Sequence, residues 1–460
     1  VVDGADDFTS TSSWTLVSGN VWLAASVNWT PKQVFADGAR LAASTLAPAS
    51  LPTGGFKYVV GTGLYVNVGG TNPGLHQTEV GHRQNAFVLS AKSNVTIDGL
   101  TVTRTEERSF NITGSSNVSV THNTVTFSGR FGIYFASGSG HLVESNVCSD
   151  NADHGIEFTQ NVNNSTLRAN ECFRNAKPGI REANGIYVYN SPSNLIERNR
   201  LHDNQDSGLQ INRDANNCIC RENICWNNGD HGYDHTNAIG TIHVGDIAYG
   251  NFRNGFSIEG TATGTQLYDC VAVENGLTTN EAELWVDLAS TTGFVSDYNI
   301  FWNSTGQKPI KYIATQYATV AAFSAATGKD VHSIQANPRF VNAAAGDFHI
   351  ASNSPAIDNG TSVPSAWPST DFDGASRFDV SSVPNTGAGS VPYADRGAYE
   401  FRPSTLLPPL AQLVVTPNGG RAPLVASADG SGSSDPDGTG IVSYRFDFGD
   451  GVVVGPQASA

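Results

Sequence analysis

Between residues 120 and 273 the apolar residues come in groups of one to four, split by polar residues and glycine, and no stretch of ten carries a helical stripe. Six phrases repeat: GIYF, GIEF, GIYV, GLQI, GYDH and GFSI, opened by Gly132, Gly155, Gly185, Gly208, Gly232 and Gly255. Successive glycines lie 23, 30, 23, 24 and 23 residues apart, and the 30 is one repeat plus a seven-residue insertion at 176–182. Within each phrase the first and third residues after glycine are mostly apolar, and the second and fourth are polar or aromatic. Alternation of that kind predicts a short strand with its first and third side chains turned inward.

A second ladder runs in phase: Asn123, Asn146, Asn170, Asn199, Asn223, Asp246 and Asp269. Three residues before each stand Val120, Val143, Leu167, Ile196, Cys220, His243 and Gln266, and two after each Val125, Cys148, Cys172, Leu201, Cys225, Ala248 and Val271. Apolar columns around an Asn column predict short strands that turn at stacked amides. Leucine-rich repeats share the period, but their LxxLxLxxN frame is absent. The pattern predicts an all-β chain built on a right-handed parallel β-helix, a solenoid whose rungs are buried by their neighbours.

The organisation along the chain follows. Residues 1–90 read as an N-terminal cap with a β insertion, 91–401 as the β-helix, 402–410 as a Pro-rich linker and 411–460 as a separate module. TVAAFSAATG (319–328) is a candidate short helix, and ADRGAYEF (394–401) a final turn. The segment ADGSGSSDPDGTGIVSYRFDFGDG (428–451) resembles the PKD domain, which implies an immunoglobulin-like sandwich, here partial.

Charge and cysteine usage narrow the partners. The net charge of −16 argues against nucleic acid and anionic membranes. No apolar run reaches transmembrane length. Abundant Asn, Thr, Ser and Gly with few lysines is the composition expected of a secreted bacterial β-protein, and no organic cofactor is expected. Cys148, Cys172 and Cys225 share an inward column, where they serve as small core residues; a Cys148–Cys172 bridge is geometrically open. Cys218 and Cys220 lack a second pair at zinc-finger spacing.

The outward positions carry the candidate chemistry. The second position after glycine holds Tyr134, Glu157, Tyr187, Gln210, Asp234 and Ser257, and the fourth holds Ala136, Thr159, Tyr189, Asn212, Thr236 and Glu259. Arg213 and Asn237 follow, and Arg130, Asp153, Asp206, Asp230 and Arg253 lie two residues before a glycine. Aromatic and planar polar side chains in one row suit sugar rings, which predicts a polysaccharide partner. Glu157, Tyr189, Gln210, Asn212, Asn237 and Arg253 are its candidate contacts. Rungs sit about 4.8 Å apart, so Tyr187 to Ser257 spans about 14 Å, room for two or three sugars.

Two groups of carboxylates stand out. Asp206 and Asp230 should meet at one register on adjacent rungs, with Asp153 near, and hard oxygen donors of that kind suit Ca²⁺; the alternative is that each Asp caps its turn. Asp234 and Glu259 fall on adjacent rungs offset by two residues, roughly 8 Å apart between Cα atoms. His235 interrupts an inward column, so either it is a buried, bonded imidazole or a bulge turns it outward beside Asp234; His231 lies in the same DHGYDH cluster.

HGYDHTN (231–237) resembles the GFDPH-type catalytic segment of mannuronan C5-epimerases, parallel β-helices that act on alginate. Gly232, Tyr233 and Asp234 match its Gly, aromatic and Asp, and Glu259 holds the place of the acid on the next rung. The Pro is missing, so His235 stands one position early and Thr236 takes the place of the family's His. The resemblance implies an alginate-like or other uronate polymer as substrate, and 91–401 as a whole is similar to secreted β-helix carbohydrate-active proteins.

Three functions are carried forward. A uronate lyase or C5-epimerase would use Tyr187 or His235 as base, Arg213 or Ca²⁺ to neutralise the carboxylate, and Asp234 with Glu259 in support. A glycoside hydrolase would use Asp234 and Glu259 as acid and base. A non-catalytic glycan-binding, adhesin or filament protein would need neither.

Overall fold

The computed structural model describes residues 1–402, 408–417, 425–435, 441–448 and 453–460. Residues 1–401 form one unit and 402–460 a second.

The first unit is a right-handed parallel β-helix with three long sheets. One has eleven strands, from Asn85–Ser90 to Thr315–Tyr317; it contains all six glycine phrases and is here called the groove sheet. The second has ten strands, with Val2–Asp3 at its head and Ile300–Trp302 at its end, and the third has nine, from Thr96–Asp98 to Val295–Asp297. Each rung adds one short strand to each sheet, pairing in parallel with the rung before.

The inward columns are as the alternation predicts. Leu167, Cys172, Ile186 and Val188, all from one rung, are fully buried, and each such side chain contributes about 1.5–3 kcal/mol. Cys148 lies beside Cys172 in the bore, and both are free thiols. The Asn ladder also forms: each amide nitrogen donates to the next rung's carbonyl oxygen, from Asn123 through Asn146, Asn170, Asn199 and Asn223 to Asp246, at 2.9–3.0 Å.

After Asp246 the ladder departs from the sequence reading. His243 pairs with Leu267, not Gln266, and Ala248 with Ala272, not Val271. One extra residue therefore precedes the turn, and Cys270 takes the ladder place expected of Asp269. Asp269 instead accepts the backbone N–H of Thr361 through Oδ1 and that of Gly397 through its carbonyl, tying the closing segment to the side of the helix.

Residues 5–81 build two mostly antiparallel sheets around Trp14, Phe56, Leu64 and Val80. The helix Val320–Thr327 forms as expected, with Thr319 accepting from the Ala322 N–H and Gly328 left-handed at its end. In the closing segment Arg396 donates to the carbonyls of Asn299, His332 and Asn359.

The second unit holds two antiparallel pairs, Val414–Thr416 with Ser427–Asp429 and Tyr444–Asp447 with Val453–Gln457. Parts of the Pro-rich linker and of the PKD-like segment lie outside the described residues. No helix among the described residues is long and apolar enough to cross a membrane.

Candidate functional site

Parallel pairing lays the outward residues of the groove sheet in rows. One row runs Tyr134, Glu157, Tyr187, Gln210, Asp234, Ser257; the next runs Tyr189, Asn212, Thr236, Glu259. Asp234 and Glu259 are thus on adjacent rungs, offset by two residues. The floor is more covered than a solvent-facing row: Glu157 is 8% exposed and Asp234 6%, while Arg213, Asn237 and Arg253 stand exposed at its edge.

A relay of amides fixes Asp234. Asn184 donates to Gln210 Oε1 at 3.0 Å, and Gln210 donates through Nε2 to Asp234 Oδ2 at 2.6 Å. Burial, reinforced by Glu259, Asp230 and Asp206, pushes the Asp234 carboxyl up to about 8, so it carries a proton at neutral pH. Burial, with Asp153 beside it, likewise lifts Glu157 to about 7. Glu259, less buried and accepting from Ser257 Oγ at 3.1 Å, is raised by burial as well.

The insertion supplies the cations of one wall. Asp206 and Asp230 sit on adjacent rungs, as their spacing predicts, but the cation between them is the chain's own Arg181. It lies 2.7 Å from Asp230 Oδ1 and 3.7 Å from Asp206 Oδ1, and Arg253 approaches Asp230 at 3.2 Å. Burial and Asp230 hold the Asp206 carboxyl at about 7. Asp153 does not join them, because the rung of Ala183 intervenes; it faces Lys177 at 3.4 Å. The three-carboxylate arrangement expected for Ca²⁺ is therefore not assembled. Among the described residues the one group of three close potential ligands is elsewhere, in the bore.

Several expected roles change with the geometry. His235 is fully buried and points inward, its Nε2 2.8 Å from His243 Nε2; no bulge turns it to the groove, because its strand keeps regular register with both neighbours. The Tyr187 phenol, raised by burial and then by Glu157, stays protonated and accepts from Asn212 Nδ2 at 3.3 Å, which suits a proton donor rather than a base. Arg213 donates to the Tyr189 hydroxyl at 2.9 Å. His231 accepts the Asn254 N–H at Nδ1, so its neutral ring carries the proton on Nε2, 3.6 Å from Asp230 Oδ2; burial lowers it to about 4. It cannot accept a proton from substrate in that state.

Sequence reasoning missed four residues. His154, lowered by burial to about 3, repeats the His231 arrangement three phrases earlier, with Nδ1 accepting the Asn184 N–H. It lies between Phe131 and Tyr187, with ring centroids 5.5 and 4.6 Å away, and Tyr134 extends the strip beyond Phe131. Phe131, Asn184 and Arg181 were also missed. The shared DHG of 153–155 and 230–232 was a usable signal for His154. At the head of the groove Lys32, Arg40, Arg130 and Lys177 gather around a recess that also holds Glu107 and Asp153.

A family comparison agrees on the fold. The family described as "right handed beta helix region" matches residues 63–184 and 108–272. No curated protein matches the chain in sequence. Among solved structures, a complex of XylC with xylose is 12% identical, with TM-score 0.45, over 68% of this chain and 75% of that one. The A-module of an Azotobacter vinelandii mannuronan C-5 epimerase is 14% identical, with TM-score 0.41, over 55% and 76%. A pectate lyase is 14% identical, with TM-score 0.44, over 77% and 90%.

Proposed function

We propose that the chain is a carbohydrate-active enzyme that binds an acidic polysaccharide along the groove sheet and removes the proton at C5 of a uronate, as a lyase or C5-epimerase. One observation carries this reading: two carboxyls that burial raises, Asp234 to about 8 and Glu157 to about 7, line the floor of a groove with Lys32, Arg40, Arg130 and Lys177 at its head, in a chain of net charge −16. A protonated carboxyl can donate a hydrogen bond to a sugar carboxylate, where an ionised one would repel it.

Asp234, held by Gln210, donates to the substrate carboxylate and absorbs the charge that grows there as the C5–H bond breaks. Glu259, one rung on and less buried, is the partner that takes the proton. Tyr187 supplies a proton from its retained phenol, as an epimerase requires on the opposite face or a lyase at the leaving oxygen. Phe131, Tyr134 and Tyr189 give stacking surfaces, and Arg213 and Arg253 reach the substrate from the edge. The resemblance of HGYDHTN to the epimerase segment supports the same reading.

A second reading is favoured by the pairing of Asp234 and Glu259 itself: two carboxyls of unequal burial on adjacent rungs also suit a glycoside hydrolase. Proton NMR of alginate, pectate and neutral glycans incubated with the protein in D₂O, with and without Ca²⁺, separates the two. Loss of the C5 proton signal, or new unsaturated-uronate signals, supports C5 chemistry and tells epimerase from lyase. New reducing ends alone support the hydrolase, and unchanged spectra with saturable binding would leave only a glycan-binding role.

A further inference from the structure

DHGIE (153–157) and DHGYD (230–234) are one phrase, Asp-His-Gly-apolar-acid, written twice along the groove sheet. Two rungs lie between the copies and neither carries it, their aligned residues being ANGIY (183–187) and DSGLQ (206–210). The phrase is therefore not a general requirement of the turn.

The two copies fold alike. In each, the Asp lies 3.6 Å from Nε2 of the following His, whose Nδ1 accepts a backbone N–H from Asn184 or Asn254 on the next rung. In each, the closing acid stands in the same outward row, Glu157 and Asp234 both buried. The insertion supplies a cation to each Asp, Lys177 to Asp153 at 3.4 Å and Arg181 to Asp230 at 2.7 Å.

They differ at the acid itself. Asp234 is held by Gln210, whereas the aligned neighbour before Glu157 is Tyr134. Neither Glu157 oxygen makes a hydrogen bond among the described residues, and Oε2 is wholly buried. A buried polar atom left unpaired costs about 1–3 kcal/mol, a cost that a ligand hydroxyl at this carboxyl would offset.

The surroundings select an anionic ligand. The charges of Arg108, Arg130 and Lys177 all reach the Glu157 carboxyl. Lys177 is shared with Asp153 and Glu182. Arg130 is exposed, lies over the Phe131 ring at 4.3 Å and pairs with no carboxylate among the described residues. Arg130 and Lys177 also line the recess at the head of the groove, which Lys32 and Arg40 enter from the N-terminal sheets. A planar guanidinium without a partner is a fitting receptor for a carboxylate.

We infer that the groove has a second uronate subsite at its head, in which Glu157 bonds a ring hydroxyl while Arg130 and Lys177 hold the carboxylate. This rests on the uronate reading given above and adds a length to it. The subsite stands three rungs from Asp234, about 14 Å at roughly 4.8 Å per rung. A disaccharide reaches one of the two sites, and a hexasaccharide reaches both.

Titration calorimetry of the Glu259→Gln chain, chosen to suppress turnover, with a disaccharide and a hexasaccharide of mannuronate, guluronate or galacturonate tests this. The hexasaccharide of the preferred sugar should bind at least about 100-fold more tightly than its disaccharide, because the second contact becomes intramolecular. Adding Arg130→Ala or Glu157→Ala should each weaken hexasaccharide binding about tenfold, with the far-ultraviolet circular dichroism of the fold retained. Because Arg130 is exposed, its variant decides the question even where Glu157→Ala fails to fold. A hexasaccharide that binds without gain over the disaccharide, or equally well in Arg130→Ala, would overturn the subsite and leave the uronate reading standing. Cellohexaose bound as tightly as the uronate hexasaccharide would overturn the carboxylate assignment. Failure of every uronate oligomer to bind would overturn the uronate reading and the subsite with it.

Discussion

Asp234 is a carboxyl placed where ionisation is penalised from several sides. Its folded pKa, about 8, lies above the ordinary 3.8, so between those values the folded state holds a proton that the unfolded chain has lost. Its contribution to stability is complete below about pH 4 and is lost as pH rises through 8. Asp234→Asn is therefore expected to gain stability relative to the parent across that window, with a gap in Tm that widens from pH 4 to 8 and then levels. Thermal melts of both proteins at stepped pH check this; a constant gap would show the carboxyl to be ionised throughout. On a uronate polymer the same substitution should lower kcat by about 10²–10⁴-fold, and in the parent kcat should fall as pH passes about 8. Glu259→Gln should do comparable damage to kcat, whereas Arg213→Ala should act mainly on KM.

At the level of strands and turns, the amide ladders hold the rungs in register. There are two. The second runs from Asn151 through Asn175, Asn204, Asn228 and Asn251 to Asn275, with amide bonds of 2.8–3.0 Å. Asn204 accepts from Asn175 and donates to the Cys172 carbonyl and to Asn228. Removing it leaves buried partners unpaired at about 1–3 kcal/mol each. Asn204→Ala should thus lower the unfolding free energy by about 3 kcal/mol or more, read by denaturant titration. Gly185→Ala strikes the same place from the other side, since a methyl group there would meet the Gly208 carbonyl at 2.7 Å and the Asn204 amide at 2.9 Å. In the insertion, Arg181→Ala removes the cation shared by Asp206 and Asp230. The KM for a polyuronate should rise roughly fivefold, equivalent to about 1 kcal/mol at a partly exposed pair.

These elements also show what the sequence could carry. Period and alternation sufficed for the β-helix, the inward columns, the meeting of Asp206 with Asp230 and the offset of Asp234 from Glu259, because parallel rungs stack equivalent positions. The second ladder, five residues after the first, was equally periodic and went unread because its asparagines fall in irregular turns rather than beside an apolar strand pattern. The slip at Asp269 was hidden for a different reason: a turn absorbs one extra residue without disturbing the strand that follows. Arg181 lies in an insertion, where no repeat predicts what a side chain will reach. His235 was left open by the sequence, and its partner, His243, comes from another sheet.

For the whole molecule, the division at residue 401 makes a clear prediction. A chain ending at Phe401 retains the three long sheets, so its calorimetric melting transition and its turnover should match those of the full chain. A lost or broadened transition would show that residues 402–460 help hold the β-helix. The stacking of rungs has a further consequence. Every rung presents one residue per row at a fixed step, so the groove sheet works as a ruler with a graduation about every 4.8 Å. Insertions such as 176–182 decorate a graduation without shifting the scale, because the ladders on either side resume in register. Adding or removing a whole rung would change how many sugars are read at once while leaving each reading position intact. Length of grip and chemistry of grip are thus separately adjustable in this chain, the first by counting repeats and the second by editing single outward residues.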